Sequence, residues 1–264
     1  MAGNETRAVF FDIDGTIWNR ENEIPPSTAA AVAALKRRGH LVLLCSGRTR
    51  GYIRAPELLS LDFDGIISGC GTMLEFGGET LFYHRIPTPL LERTLNTVRS
   101  FGFRPILEGR EYLYFDEAEF SGDPYGEKLR AELGARLKTI CGSWGAWEVS
   151  KLSCDMRGAD RSGCFAAIAA DFDPIVHNDS VVELVPKGFD KGDGILRFCA
   201  RLGLDPARTV AFGDSYNDLG MFAAAGTSVA MGNGVEGAKR AADYVTTALM
   251  EDGVWNACRA LELI

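Results

Sequence analysis

The chain has 264 residues, 46% of them hydrophobic, which is enough for one large globular unit or a core domain with a smaller one. Its formal net charge of −8 provides no basic surface for nucleic acid or an anionic membrane. No apolar stretch reaches the roughly 20 residues that span a bilayer, and the first residues lack a signal-peptide pattern. We therefore expect a cytoplasmic protein without nucleic-acid or membrane partners, whose oligomeric state the sequence leaves undefined.

The cysteine and histidine content also narrows the class of protein. The seven cysteines are odd in number, fall mostly inside apolar runs, and lack the spacing of a zinc site. The three histidines are scattered along the chain and do not form a metal-binding pattern. We expect reduced thiols, as in a cytosol.

The first predicted elements alternate strand, helix and strand. An apolar run over Ala8–Ile13 is stopped by Gly15, which is typical of a buried strand. Apolar residues at helical spacing predict a helix over Ser27–Arg38, and a second buried strand follows at Leu41–Cys45. This order predicts parallel pairing with a right-handed crossover.

The pattern changes from about Tyr83 to an α+β texture with antiparallel strands. Proline and glycine flank this region on both sides, as expected where a chain leaves one domain and returns to it. We predict that residues 1–83 and 187–264 form a catalytic core and residues 84–186 an inserted α+β cap. The patterns behind this prediction are two alternating stretches, Tyr112–Phe115 and Val181–Val185, and two helical ones, Leu90–Phe101 and Gly126–Ile140.

The α/β rhythm resumes after the insertion. We predict a doubly wound parallel sheet for the core, interrupted by the inserted domain. The elements predicted here are a helix over Gly192–Leu202, a strand at Thr209–Phe212, a helix over Asp218–Ala225, a strand at Ser228–Met231, and a last helix from Glu251.

Polar side chains follow the strands of this predicted sheet. Asp12 and Asp14 end the first strand, Ser46 follows the second, and Asp214 and Asp218 follow the strand that begins at Thr209. Ligands bind at the carboxyl ends of strands in such sheets. Carboxylates gathered there repel one another unless a cation lies among them, and Mg²⁺ prefers oxygen ligands. The sequence therefore predicts a magnesium site.

The same edge carries the groups that phosphoryl transfer needs: a carboxylate nucleophile, an acid, a metal and a lysine. Lys191 opens a helix with Asp190 as its N-cap, whereas Lys187 lies in the return linker, so we favour Lys191. Asp12 and Asp14 would face opposite ways in a straight strand, and the break after Asp14 must turn it back. The alternative is that Asp14 only caps the turn.

Four segments together resemble the motifs of the haloacid dehalogenase superfamily, in its Cof-type branch with a C2 cap. They are FDIDGT at Phe11–Thr16, LCSGR at Leu44–Arg48, the lysine of FDKGDGI, and GDSYNDLGMF at Gly213–Phe222. Their order and spacing place the insertion between the second and third motifs, as in that branch, so the resemblance covers the whole chain. One departure is Cys70, followed by glycine and threonine, where many relatives have Asn-Gly-Ala.

The resemblance implies a role for each of these residues. Asp12 would be the nucleophile, Asp14 the general acid and base, and Asp214 a metal ligand together with Asp12 and Asp14. Apart from the resemblance, we expect Asp218 to hold Asn217 or the waters of the metal; the alternative is that it only caps its helix. The predicted phosphate contacts are Ser46, Gly47, Lys191 and Asn217.

The predicted function is magnesium-dependent hydrolysis of phosphate monoesters of small metabolites, such as sugar phosphates, through an aspartyl-phosphate at Asp12. A phosphomutase of the same superfamily and a phosphate-sensing module without turnover are alternatives. A pure binding module has no need of both Asp12 and Asp14. The insertion is expected to act as a lid that selects the substrate.

Two further motif matches are assigned no catalytic role. Asp62 and Asp64 form a second DxDG, but they precede a predicted strand and so lie at its amino end, away from the site. A GxGxxG match over Gly232–Gly237 is interpreted as a tight loop at the rim of the site, because the next strand follows too soon for a dinucleotide-binding unit; nucleotide binding is the alternative.

Overall fold

Short apolar runs form the strands, and amphipathic segments form the helices between them. The computed structural model describes residues 6–264; residues 1–5, part of the segment in which no signal peptide was expected, lie outside this range. The strands are β1 Ala8–Phe11, β2 Leu41–Cys45, β3 Gly65–Ser68, β4 Met73–Phe76, β5 Glu79–Tyr83, β6 Arg104–Glu108, β7 Leu113–Tyr114, β8 Leu137–Lys138, β9 Lys151–Asp155, β10 Phe172–Val176, β11 Val181–Pro186, β12 Thr209–Gly213, β13 Thr227–Ala230 and β14 Tyr244–Val245. The helices are α1 Pro26–Arg37, α2 Pro56–Leu59, α3 Thr88–Ser100, α4 Pro124–Leu133, α5 Arg161–Ile168, α6 Lys191–Leu202, α7 Leu219–Ala224, α8 Glu236–Ala241 and α9 Gly253–Ala260.

The chain divides into two compact units. The first contains the described residues up to Gly47, together with Arg54–Phe82 and Asp190–Ile264. The second contains Arg48–Ile53 and Tyr83–Phe189. The sequence pattern gave no sign that the short segment after β2 packs with the second unit, where the Gly51 N–H donates to the Gly109 carbonyl oxygen at 3.1 Å.

The first unit is built on an eight-stranded sheet with the order β14-β13-β12-β1-β2-β3-β4-β5. All strands from β14 to β3 pair in parallel, and β4 runs antiparallel to β3. The register places Phe11 of β1 beside Leu44 of β2 and Phe212 of β12. Because these three strands end side by side, the residues that follow them share one edge of the sheet. The predicted α/β class with a parallel-sheet core is confirmed.

Helix α6 illustrates how local sequence fixes an element on this sheet. Asp190 caps it by accepting a hydrogen bond from the Asp193 N–H at 2.6 Å, as predicted. Ile195 and Phe198 are fully buried against the sheet. Gly203 ends the helix in the left-handed conformation, with φ of 65°. The capped start of α6 therefore has a fixed position, and Lys191 is its first residue.

The second unit contains a six-stranded sheet with the order β10-β11-β9-β6-β7-β8. The pairs from β10 to β7 are antiparallel, and β7 pairs with β8 in parallel. Helices α3 and α5 pack on this sheet over a core that includes Leu95, Leu152 and Cys164. The unit has the α+β character that the sequence predicts.

One predicted helix in this unit is wrong in extent. The pattern over Gly126–Ile140 predicts a single helix, but α4 ends at Leu133. Gly134 follows with φ of 49° and ψ of −123°, a conformation outside the α-helical region. A single 3₁₀ turn and the short strand β8 then replace the expected helical turns.

Two further features concern the exposure of the cysteines and the hydropathy of the helices. Six of the seven cysteines are buried, and Cys141 is exposed. Among residues 6–264, no helix combines the length and hydropathy required to cross a membrane.

Candidate active site

Asp12 lies one residue beyond the end of β1. Its backbone N–H donates to the Phe212 carbonyl oxygen at 2.9 Å, which extends the pairing of β1 with β12 past the strand end. The side chain is only 4% exposed. Lys191 Nζ donates to Asp12 Oδ1 at 2.6 Å. The carboxylate is thus fixed at the carboxyl edge of the sheet and paired with a cation.

Lys191 is the centre of a buried charge cluster. It is fully buried, and Nζ also contacts Asp218 Oδ1 at 2.5 Å and Asn217 Oδ1 at 3.2 Å. Burial alone would lower the pKa of this ammonium group, but the carboxylates of Asp12 and Asp218 raise it well above its ordinary value. Lys191 therefore carries a positive charge at neutral pH.

Asp218 shapes the turn that carries Asp214. Asp218 Oδ2 accepts hydrogen bonds from the backbone N–H groups of Asp214 and Ser215, at 2.8 and 2.9 Å. Its other oxygen is held by Lys191. The sequence predicts that Asp218 holds Asn217 or the waters of a metal; in the structure its oxygens accept hydrogen bonds from Lys191 and from the backbone of the turn, as in the capping alternative.

Three carboxylates at this edge form a group that fits a divalent cation. One oxygen each from Asp12, Asp214 and Asp218 lie within 4.8 Å of one another. Asp214 Oδ1 is buried and has no hydrogen-bond partner among residues 6–264. A buried oxygen without a partner is costly unless a cation or water binds it. Oxygen ligands of this kind suit Mg²⁺.

The electrostatics of the cluster lead to the same conclusion. Burial is the largest cause that raises the pKa of Asp12 well above its usual range. Lys191 opposes this rise, and the neighbouring carboxylates of Asp218 and Asp214 add to it. Burial likewise raises the pKa of Asp214 to about 7. A divalent cation would offset both effects, because it favours the ionised carboxylates.

Asp14 lies outside this three-carboxylate group. The turn after β1 is closed by the Gly15 N–H, which donates to the Trp18 carbonyl oxygen at 2.9 Å. The Trp18 indole Nε1 donates to Asp14 Oδ1 at 3.0 Å. Asp14 is exposed and lines a cavity of 430 Å³ together with Asp214. The turn thus directs Asp14 toward the region of Asp214, and its role as a metal ligand stays a prediction.

The residues predicted to contact phosphate differ in their burial and in the hydrogen bonds that they make. Ser46 is buried directly after β2, with its N–H bonded to the Ile67 carbonyl oxygen at 2.9 Å. Asn217 Oδ1 is used by Lys191 and by Ser215 Oγ, and its amide NH₂ makes no hydrogen bond within residues 6–264. Gly47 is buried, and its contact with phosphate stays a prediction.

Two residues that support the site, Trp18 and Asn233, were not predicted from the sequence. The Trp18 indole reaches Asp14 only because the turn folds back over four residues. Asn233 Nδ2 donates to the Gly15 carbonyl oxygen at 2.9 Å, and its Oδ1 accepts from the Leu249 N–H at 2.7 Å. The GxGxxG match was the only sequence signal near Asn233, and the structure confirms its interpretation as a tight loop at the rim of the site.

The two aspartates of the second DxDG sequence lie elsewhere. Asp62 and Asp64 precede β3, and both form ion pairs with Lys36, at 2.6 and 3.4 Å. Arg48, the last residue of the LCSGR segment, belongs to the second unit, where its guanidinium lies 4.4 Å from the centre of the Tyr52 ring.

Comparison with known proteins agrees with this geometry. A family model described as haloacid dehalogenase-like hydrolase matches residues 9–258. The Bacillus subtilis (strain 168) protein named "Putative phosphatase YkrA" is 31% identical over 265 residues, which cover 98% of this chain and 99% of the relative. The phosphoglycolate phosphatase of Methanopyrus kandleri is 28% identical over 263 residues, covering 97% of each chain.

Solved structures share the same architecture. A hypothetical protein from Geobacillus kaustophilus HTA426 superposes with a TM-score of 0.83 at 27% identity, covering 98% of this chain and all of the other. The HAD subclass IIB sugar phosphatase BT4131 superposes with a TM-score of 0.82 at 25% identity, with the same coverage.

The family match extends from β1 into α9 and so includes every part of the site described above. The chain belongs to the haloacid dehalogenase-like hydrolases. Within that family it is a phosphatase of the Cof type, which acts on phosphorylated small molecules.

Proposed function

We propose that the protein is a magnesium-dependent phosphomonoester hydrolase that acts on sugar phosphates through an aspartyl-phosphate at Asp12. The observation that supports this most directly is the environment of the Asp12 carboxylate. Its buried carboxylate is paired with Lys191 at 2.6 Å and adjoins Asp214, whose Oδ1 has no partner within residues 6–264. A nucleophile, a fixed cation and an open oxygen ligand thus occur together.

In the first step, a carboxylate oxygen of Asp12 attacks phosphorus, and the bond from phosphorus to the ester oxygen breaks. The Asp14 carboxyl group transfers its proton to the departing oxygen, which leaves as an alcohol. Asp14 is suited to this role because it is exposed and its Oδ1 is oriented by the Trp18 indole. The product of this step is a phosphoryl group on Asp12.

In the second step, the Asp14 carboxylate takes a proton from water, and the resulting oxygen nucleophile attacks phosphorus. The bond from phosphorus to Asp12 breaks, which releases inorganic phosphate and restores the Asp12 carboxylate and the Asp14 acid. The Lys191 ammonium remains charged throughout, since two carboxylates hold it. Together with Ser46 and Asn217 it would stabilise the oxygens of the transferring phosphoryl group.

The residues that would hold Mg²⁺ are Asp12 and Asp214, with Asp14 as a further predicted ligand. Asp218 is engaged by Lys191 and two backbone N–H groups, so we assign it to positioning those groups. When bound, the metal would neutralise negative charge on the phosphoryl oxygens and screen the nucleophile from them.

The test is hydrolysis of p-nitrophenyl phosphate and a sugar phosphate by the wild-type protein and Asp12→Asn, with and without Mg²⁺. We expect turnover only in the wild-type protein with Mg²⁺, and a phosphorylated peptide containing Asp12 by mass spectrometry. Asp62→Asn is the matched control, because Asp62 belongs to the second DxDG sequence and should leave the rate unchanged. Residual turnover by Asp12→Asn, or transfer of phosphate from a sugar bisphosphate to another sugar in place of release, would contradict this proposal.

A further inference from the structure

The 430 Å³ cavity beside Asp14 is lined by side chains of three chemically different kinds, all in the first unit. Asp14 and Asp214 contribute carboxyl groups to its lining. Leu249 and Met250 form part of an apolar wall. Arg20 also lines the cavity and is an exposed residue. A ligand that fills the cavity would therefore contact carboxyl groups, apolar side chains and the guanidinium of Arg20.

The lining residues indicate which part of a phosphate ester the cavity receives. In an in-line transfer, the departing oxygen lies opposite the attacking carboxylate and next to the acid. The cavity is lined by the proposed acid Asp14, whereas the nucleophile Asp12 and the phosphate-binding Lys191 are buried and do not line it. This arrangement is the one expected for the side of the site that holds the leaving group.

Arg20 has donors available for a ligand. Among residues 6–264 it makes no side-chain hydrogen bond and no ion pair. The two asparagines at the cavity are hydrogen-bonded within the protein. Asn19 Oδ1 accepts from the N–H groups of Glu21 and Glu23, at 3.0 and 2.9 Å. Asn233 is bonded through both its amide oxygen and its amide nitrogen. A guanidinium binds carboxylate or phosphate with two parallel hydrogen bonds.

We propose that this cavity binds the leaving group and that Arg20 recognises an anionic group on it. The preferred substrates would then be phosphate monoesters whose leaving group carries a second negative charge, a carboxylate above all, at the end remote from the scissile phosphate. The aliphatic part of the leaving group would contact the wall formed by Leu249 and Met250. This proposal rests on the proposed function, and it makes Arg20 a residue that determines specificity.

The test compares two esters that differ only at the remote end: 6-phosphogluconate, with a carboxylate, and sorbitol 6-phosphate, with an alcohol. We expect the wild-type protein to prefer 6-phosphogluconate by roughly tenfold in kcat/KM, the typical size of one charge-assisted contact. Arg20→Gln should bring this ratio close to one, and Arg20→Lys should retain part of it. Arg240→Gln is the matched control, because Arg240 is another exposed arginine of the first unit and does not line the cavity.

A binding measurement separates this proposal from the proposed function. Calorimetric titration of both esters into Asp12→Asn, with and without Arg20→Gln, reports the same preference as a ratio of Kd values without turnover. If the wild-type protein hydrolysed neither ester, the proposed function would be wrong, and the Kd ratios would still decide the role of Arg20. A ratio unchanged by Arg20→Gln, or a wild-type preference for sorbitol 6-phosphate, would overturn the assignment of Arg20.

Discussion

Gly15 follows the proposed acid Asp14 in the chain and lies against the carboxylate of Asp214. Its φ of 80° is in the left-handed region, and a Cβ at this position would lie 2.3 Å from Asp214 Oδ2. A side chain here would therefore displace the carboxylate that is proposed to bind Mg²⁺. Gly15 matters for the position of a neighbouring ligand as well as for its own backbone.

We predict that Gly15→Ala lowers kcat/KM for phosphate esters by roughly a hundredfold, because a displacement near 1 Å in an active site has an effect of that order. Mg²⁺ affinity, measured by calorimetric titration, should fall as well. Gly39→Ala is the control: Gly39 has φ of 81° and nothing within 4 Å of its Cβ position. Both variants should lose stability through backbone strain, but equal losses of activity in the two would contradict the steric argument.

Three loops at the carboxyl edge of the core sheet are joined through Asn233. This residue follows β13, and its side chain bonds the backbone of Gly15 after β1 and of Leu249 after β14. The same loop is fixed to the turn after β12, since the Val235 N–H donates to the Asp214 carbonyl oxygen at 2.8 Å. The loop from β13 thus aligns elements that carry Asp14 and Asp214.

We expect Asn233→Ala to lower the free energy of unfolding by about 1–2 kcal/mol, since two hydrogen bonds are lost. It should also weaken Mg²⁺ binding, because the Asp14 and Asp214 loops lose their connection. The control is Asn256→Ala, since Nδ2 of Asn256 in α9 also makes two hydrogen bonds, to Thr247 Oγ1 and the Glu251 carbonyl oxygen in the preceding loop. Denaturant unfolding and calorimetric Mg²⁺ titration of both variants provide the comparison. Equal weakening of Mg²⁺ binding in both variants would show that Asn233 has no special part in aligning the site.

At the scale of the whole molecule, the carboxylates of Asp12 and Asp214 make the free energy of unfolding depend on pH. Burial raises the pKa of Asp214 from its ordinary value of 3.8 to about 7, and the pKa of Asp12 also rises. Between these pH values the folded protein binds more protons than the unfolded chain. The contribution of Asp214 to stability is therefore fully present below about pH 4 and is lost as the pH rises through about 7.

This linkage predicts how Mg²⁺ affects thermal unfolding. Because Mg²⁺ binds the ionised carboxylates, it competes with protons and should raise Tm more at about pH 8 than at about pH 5.5. Thermal denaturation with and without Mg²⁺ at the two pH values measures this difference. In Asp214→Asn, the dependence of the Mg²⁺ effect on pH should be much reduced. An equal rise in Tm at both pH values in the wild-type protein would show that the carboxylate cluster is not the metal site.

Much of the fold and the main residues of the site could be predicted from the sequence. The apolar runs that end in Asp12, Ser46 and Asp214 identify strands, and parallel pairing brings the ends of such strands together. The cap residue Asp190 and the apolar spacing of the following helix fix Lys191 at a helix start. These signals are local, because strand and helix periodicity and capping depend on residues close in the chain.

The partners of each side chain were decided only by the tertiary structure. Lys191 and Asp12 are 179 residues apart, and Asn233 and Gly15 are 218 apart, so their contacts depend on how strands, helices and loops pack. The same holds for the cavity that Arg20 lines, which combines loops after β1, β12, β13 and β14. The sequence by itself determined which residues reach the carboxyl edge of the sheet. Packing decided which atoms meet there, because side-chain direction and the distance between loops are set by the assembled core and not by chain-local preference.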